Sequence, residues 1–208
     1  MKIGNNIFYT EVGALEVNCT IVKCPETSHI AIFDPGDDFE KIVKMIESAG
    51  GIPEYIINTH CHYDHIGAVD QLRRKYNIPF LVHTEEKEYA LDPEKNYSVM
   101  TEQKLKINPD GLFSDGDIFN LGKIGIKTIH TPGHTKGSCC FLTGNVLISG
   151  DTLFAGSVGR TDLYGGDTDS LIESIKNKIL ILDENTLIIP GHGRNTTIKE
   201  EKHFNPYL

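Results

Sequence analysis

The stretch Pro53-Glu54-Tyr55-Ile56-Ile57-Asn58-Thr59-His60-Cys61-His62-Tyr63-Asp64-His65 runs an apolar segment into a loop crowded with polar groups. Residues 55–58 have the length and β-branched content of a strand. Beyond them, seven residues hold three histidines, an aspartate and a cysteine. On an extended chain, residues i and i+2 share a side. His60 and His62 therefore reach one point together, and Cys61 and Tyr63 point away from it. A turn after His62 aims Asp64 and His65 at a second point nearby. Imidazoles joined by a carboxylate suit zinc, iron or manganese. A lone loop histidine usually caps a helix or faces water, but this density is that of a metal site.

Three further segments repeat the design of an apolar strand delivering a polar group to a loop. Lys127-Thr128-Ile129-His130-Thr131-Pro132-Gly133-His134 supplies His134, with His130 four residues earlier. Val146-Leu147-Ile148-Ser149-Gly150-Asp151 supplies Asp151, and Leu187-Ile188-Ile189-Pro190-Gly191-His192 supplies His192. Each group sits beside glycine, which permits a sharp turn and a close approach. Seven groups result: His60, His62, Asp64, His65, His134, Asp151 and His192. They make two three-ligand sets if one aspartate bridges. Two metals sharing a water are a known device for hydrolysis.

The rest of the chain interleaves strand-like and helical patterns. Strand-length apolar runs recur at 7–10, 19–23, 30–33, 80–83, 124–130, 138–142, 146–149 and 187–190. Helical spacing appears over 39–48, where Ile42, Val43, Ile46 and Ala49 share a face, Asp37 or Asp38 offers an N-cap and Gly50-Gly51 a stop. It appears again over 69–76, 85–91, 168–180 and 197–203. Interleaved elements with strands in the majority predict a layered α/β or α+β domain. No linker or low-complexity segment interrupts the chain, so one domain is expected over 1–208.

Composition narrows the partners. Twenty basic against 29 acidic residues give a formal charge of −9. That balance argues against a nucleic-acid backbone as partner. The run Arg73-Arg74-Lys75 reads as a solvated helix face. No apolar run is long enough for a membrane span, and residues 1–13 lack the apolar core of a signal peptide. The five cysteines are odd in number and irregularly spaced, which fits free thiols and a cytoplasmic location. Cys61, on the side away from the histidines, is expected not to bind metal.

Five motifs in order carry a family resemblance. They are Phe33-Asp34-Pro35-Gly36, the histidine-rich loop at 59–65, 130–138 (HTPGHTKGS), 150–162 (GDTLFAGSVGRTD) and 189–193 (IPGHG). Together they resemble the metallo-β-lactamase superfamily, and within it the compact glyoxalase-II-like hydrolases. The resemblance implies an αββα sandwich of two mixed sheets flanked by helices, with metals at one edge. It implies two divalent ions, zinc foremost and iron or manganese as alternatives. His60, His62 and His134 would hold one, Asp64, His65 and His192 the other, and Asp151 would bridge. Asp34, Thr59 and Thr135 are candidates for orienting the ligands from behind, and His130 falls outside the ligand set.

The same resemblance implies a small-molecule thioester substrate such as S-lactoylglutathione, because a thiolate leaves without a dedicated general acid. Two cations would bring a shared water to hydroxide near neutral pH. Asp64 and Asp151 are the catalytic carboxylates of that scheme. Arg160 aligns with a basic residue that contacts glutathione in the family, and Tyr63 either lines the substrate cleft or packs. The helical C-terminal domain of full-length glyoxalase II has no counterpart in this sequence.

A rival reading is a persulfide dioxygenase with one iron on His60, His134 and Asp151. The stretch Pro190-Gly191-His192-Gly193-Arg194 resembles the hydrolases rather than the dioxygenases. A true β-lactamase would need export. A processing nuclease of the superfamily would need a basic surface. No exposed helix face stands out as an oligomer interface.

Overall fold

The structure is a computed structural model that describes residues 1–4 and 6–208. Seven strands form the first sheet: β1 (Lys2–Ile3), β2 (Ile7–Val12), β3 (Val17–Lys23), β4 (His29–Phe33), β5 (Ile52–Ile57), β6 (Phe80–His83) and β7 (Gly111–Phe113), paired in that order. The first four are antiparallel, and β4 to β7 are parallel. Parallel neighbours need crossovers. Helices α1 (Phe39–Ala49), α2 (Tyr63–Ile66), α3 (Val69–Tyr76) and α4 (Lys87–Leu91) lie in those connections.

The second sheet contains β8 (Ile118–Leu121), β9 (Ile124–His130), β10 (Cys139–Thr143) and β11 (Val146–Gly150), and is completed by two later strands. After a small hairpin, β12 (Leu153–Phe154) and β13 (Ser157–Val158), the chain forms α5 (Thr168–Ser174), β14 (Leu187–Pro190), β15 (Thr196–Thr197) and α6 (Ile198–Phe204). The sheet order is β15-β14-β11-β10-β9-β8, with β11 and β14 parallel and the other neighbours antiparallel.

Apolar side chains fill three layers. Phe33, Ile57, Phe141, Ile148 and Ile189 are buried between the sheets. Ile42, Ile46, Val69 and Leu72 seal the outer face of the first sheet, and Leu171, Ile175 and Ile179 that of the second. This is the αββα arrangement expected for the family.

The helix over 39–48 forms as its spacing predicts. Asp38 takes the N-cap position in the left-handed region without a side-chain capping bond, and Gly50 ends the helix with φ 62°. Two expectations need correction. The helix expected over 168–180 is α-helical only to Ser174. Ile175–Ile179 continues with π-helical bonding, which keeps Leu171, Ile175 and Ile179 on the buried face. The helix expected over 85–91 begins as a tight 3₁₀ turn, Thr84–Glu86, before α4. Strands β7 and β8 escaped the sequence pattern because they are short and half exposed.

Candidate metal centre

The groups singled out as ligands lie in the segments that follow β5, β9, β11 and β14. The chain leaves the ladder after Ile57, and His62 stays extended at φ −64°, ψ 150°. The alternation survives outside the strand. His60 and His62 face the centre, and Cys61 is buried in the core behind them. Tyr63 starts α2, which carries Asp64 and His65 around to the second position. His134 comes from the β9–β10 connection, Asp151 follows β11, and His192 follows β14.

The facing atoms converge. His134 Nε2 stands 3.3 Å from His60 Nε2 and 2.9 Å from His62 Nδ1. Asp64 Oδ2 stands 3.7 Å from His65 Nε2 and 3.4 Å from His192 Nε2. Asp151 lies between the sets, with Oδ1 3.5 Å from His65 Nε2 and Oδ2 3.6 Å from both His134 Nε2 and His192 Nε2. One further grouping, His60 with His65 and Asp151, straddles the two. Ligand atoms about 2.0–2.1 Å from a tetrahedral ion lie roughly 3.3 Å apart, so these separations fit an ion in each set.

The polar atoms ask for such an ion. His65 Nε2 and Asp151 Oδ1, both turned toward the centre, are buried without a directed hydrogen bond. Buried polar atoms ordinarily find partners. Burial, helped by the neighbouring His134, pushes the His62 imidazole down to about 3. Burial likewise lowers His60 and His134. All three are thus neutral near pH 7, the state in which an imidazole binds metal. Burial opposes ionisation of Asp151 and Asp64, yet the neighbouring histidines together, His65 foremost, hold both below the usual carboxylate range. In turn, burial would lower His65, but Asp64, Asp151 and Asp34 raise it.

Groups behind the ligands set their ring orientation. His134 Nδ1 donates to the Arg160 carbonyl at 2.7 Å, and His192 Nδ1 to the Leu15 carbonyl at 2.7 Å. A carbonyl only accepts, so both rings turn a bare Nε2 inward. Asp34 accepts the Thr59 N–H at 2.8 Å and the Thr59 hydroxyl at 2.7 Å, and that hydroxyl stands 3.1 Å from His60 Nδ1. The same carboxylate lies 3.2 Å from His65 Nδ1. That contact is ionic rather than a directed hydrogen bond, which is why the nitrogen also counts among the unpartnered atoms. Asp34 thus bears on one histidine of each set.

Glycine makes the close approach possible at Gly191. A Cβ there would stand 2.1 Å from Asp151 Oδ1 and 3.1 Å from His65 Cε1. At Gly150, φ is 49° and a Cβ would meet the Thr59 hydroxyl at 2.3 Å.

A match to the family model described as "Metallo-beta-lactamase superfamily" spans residues 12–192. The chain belongs to the metallo-β-lactamase superfamily. It is a metallo-hydrolase, and the fold implies divalent metal ions. Among relatives, "Probable metallo-hydrolase YqgX" of Bacillus subtilis is 41% identical over 202 residues, covering 95% of this chain and 94% of the relative. "Hydroxyacylglutathione hydrolase GloC" of Haemophilus influenzae is 35% identical over 208 residues, 98% of each chain. Among solved structures, the BLEG-1 B3 metallo-β-lactamase superposes with TM-score 0.92 at 38% identity, over 97% of this chain and 99% of that one.

The remaining singled-out residues lie around this superfamily centre. Thr135 reaches Ser138 and the buried Glu86 with its hydroxyl, and so braces the His134 loop rather than an imidazole. Arg160 holds His134 through its carbonyl, and its guanidinium is paired with Asp162 at 2.7 and 2.8 Å. Tyr63 lines a cleft beside Asp64. His130 stacks on His83 with ring centroids 4.1 Å apart and does not join the centre. Burial raises the Cys61 thiol far above its usual range and keeps it neutral. No helix among the described residues is long and apolar enough to cross a membrane.

Glu86 carried no signal in the sequence. It sits in a run of charged residues, yet its side chain is fully buried. It accepts from the Cys61 N–H at 2.7 Å, the Gly137 N–H at 3.1 Å and the Thr135 hydroxyl. It thereby ties the histidine-rich loop to the His134 loop. Burial, opposed by those three donors, raises its pKa to about 7. Asn58, also missed, donates to the His60 carbonyl at 3.2 Å and the His65 carbonyl at 2.8 Å, clamping both ends of the loop.

Proposed function

We propose that this chain is a thioesterase of the glyoxalase-II type, acting on S-acyl thiols such as S-lactoylglutathione. In this reading, His60, His62 and His134 hold one divalent ion, Asp64, His65 and His192 hold a second, and Asp151 serves both. The observation that carries it is the position of Asp151, whose oxygens face both sets within 3.6 Å. Zinc is the first choice of metal, with iron and manganese compatible with the same donors.

Divalent ions in these sets would supply Lewis acidity and bring a water to hydroxide near neutral pH. The chain's own residues orient and exclude. Asp34, through Thr59, and the Arg160 and Leu15 carbonyls fix the imidazoles. The carboxylate of Asp64, partly open to solvent, is placed to accept a hydrogen bond from the attacking water. A thiolate needs no acid to leave, which suits a centre built from ligands alone. The name of the Haemophilus relative, at 35% identity over nearly the full length of both chains, supports this substrate class.

Two other readings are tested beside it. The likeness to the BLEG-1 lactamase makes a β-lactam ring the second substrate to try. A one-iron oxygenase on His60, His134 and Asp151 would leave the Asp64, His65 and His192 set without a role. The deciding experiment gives protein of measured metal content a panel of thioesters, β-lactams and glutathione persulfide with oxygen monitored. Thioester turnover should lead. No thioester turnover with two metals bound, or stoichiometric oxygen uptake with one iron, overturns the assignment.

A further inference from the structure

On the Asp64 side of the centre, a cleft of about 330 Å³ opens between the β2–β3 turn and residues 101–105. This is at the low end of ligand pockets, about 300–1,000 Å³, so it suits a small group. Leu15, Tyr63 and Leu105 give it apolar surface, and Asp37 and Glu102 stand exposed at its rim. Among the described residues, no lysine, arginine or histidine lines it. Near the centre, Lys95 and Lys136 pair with Glu88, and Arg160 with Asp162.

The cleft joins the centre at two points. Asp64 lines it and faces His192 across 3.4 Å. Leu15 lines it too, and its carbonyl accepts the His192 Nδ1 proton at 2.7 Å. A group lying in the cleft therefore ends beside the second ligand set.

We propose that this cleft receives the acyl group of the substrate and selects short, uncharged aliphatic chains over anionic ones. The proposal rests on the thioesterase reading above. Leucine and tyrosine surfaces reward apolar contact. A terminal carboxylate on the acyl chain would meet Asp37 and Glu102, and like charges brought together without a counter-ion are strongly disfavoured. Selection comes as much from that repulsion as from apolar contact.

The test uses metal-loaded protein and two near-isosteric thioesters of one thiol, 5-methylhexanoyl and glutaryl. The neutral chain should have the higher kcat/KM by at least about tenfold. Glu102→Lys should shrink that ratio at least about threefold, and Asp37→Asn should move it the same way. In parallel, the methyl resonances of Leu15 and Leu105 are followed during titration with 5-methylhexanamide and with glutaric acid monoamide. The neutral amide should shift both, and the anionic one neither. Equal kcat/KM for the two thioesters, or a ratio that neither variant moves, overturns the proposal while leaving the thioesterase reading intact. If no thioester is hydrolysed, that reading falls by itself and the amides decide the cleft. Shifts from the neutral amide alone uphold its selectivity, and equal or absent shifts remove it.

Discussion

Asp34→Asn is the change that probes how the centre is held rather than what binds in it. Asp34 is 2% exposed and has φ 50°, a left-handed conformation that asparagine tolerates and alanine does not. The variant therefore keeps size and backbone and alters only the donor pattern. The native carboxylate faces three donor positions: the Thr59 N–H at 2.8 Å, the Thr59 hydroxyl at 2.7 Å and His65 Nδ1 at 3.2 Å. An amide has one oxygen. If that oxygen faces His65, the NH₂ meets the Thr59 N–H, donor against donor. If it faces Thr59 N–H, the NH₂ meets His65 Nδ1, and that ring is driven to carry its proton on Nε2, the atom turned toward the metal position.

Losing a charge-assisted hydrogen bond costs about 1.5–3 kcal/mol. Removing a group that orients metal ligands typically costs about 10–100-fold in metal affinity. The two figures agree, since about 1.4 kcal/mol is tenfold. Asp34→Asn should thus weaken binding at both sets, at His65 directly and at His60 through Thr59. Competition against a fluorescent chelator measures both equivalents, with circular dichroism confirming the fold. Glu54→Gln, which disturbs the His29 pair and the Tyr55 hydroxyl contact but touches no ligand, is the control. Two equivalents bound within twofold of the native affinity by a folded Asp34→Asn protein would refute the reasoning.

Other changes test neighbouring links. Gly191→Ala puts a methyl 2.1 Å from Asp151 Oδ1, so the carboxylate must move, and metal analysis should find the second equivalent lost or strongly weakened. Asp151→Asn should lower thioester turnover by at least about 10² at saturating metal, as expected for a carboxylate serving both ions. Arg160→Ala should change metal affinity less than about threefold, because the carbonyl, not the guanidinium, holds His134. Glu86→Gln leaves one of three buried donors unpaired and should cost on the order of 1–3 kcal/mol. Its pH signature is specific. The folded pKa of about 7 lies above the usual glutamate value, so the contribution of Glu86 is present below about pH 4.5 and is lost as pH rises through 7. Denaturant melts of native and variant protein at pH 5.5 and 8.0 should show the stability gap narrowing as pH rises, and a widening gap would contradict the buried-acid account.

The parts of this molecule that were legible in the sequence are those written in local periodicity. Strand alternation placed His60 and His62 on one side and Cys61 on the other, although that loop lies outside any ladder. Glycine beside Asp151 and His192 announced close approach, and the Gly191 geometry gives the physical reason. The groups that fix the ligands behave differently. Asp34 was visible because it shares a motif with Pro35 and Gly36. Glu86 was not, because its three donors come from Cys61, Thr135 and Gly137, far along the chain. The Leu15 and Arg160 contacts are made by carbonyl oxygens, which every residue carries, so side-chain identity cannot reveal them.

That division has a consequence for how the centre tolerates change. The ligands are imidazoles and carboxylates, and their identities are constrained by chemistry at the metal. The Leu15 and Arg160 supports act through the backbone, so their side chains are free to vary without releasing His192 or His134. Leu15 uses that freedom at the wall of the acyl cleft, and Arg160 uses it in an ion pair with Asp162. Substitutions at position 15 should therefore alter which acyl group is accepted while the carbonyl still holds His192. Leu15→Arg is the sharp case. It should raise kcat/KM for glutaryl relative to 5-methylhexanoyl thioesters at least about threefold, with both metal equivalents retained. Loss of metal in that variant would show that side chain and carbonyl at position 15 are not separable, and the division would fail.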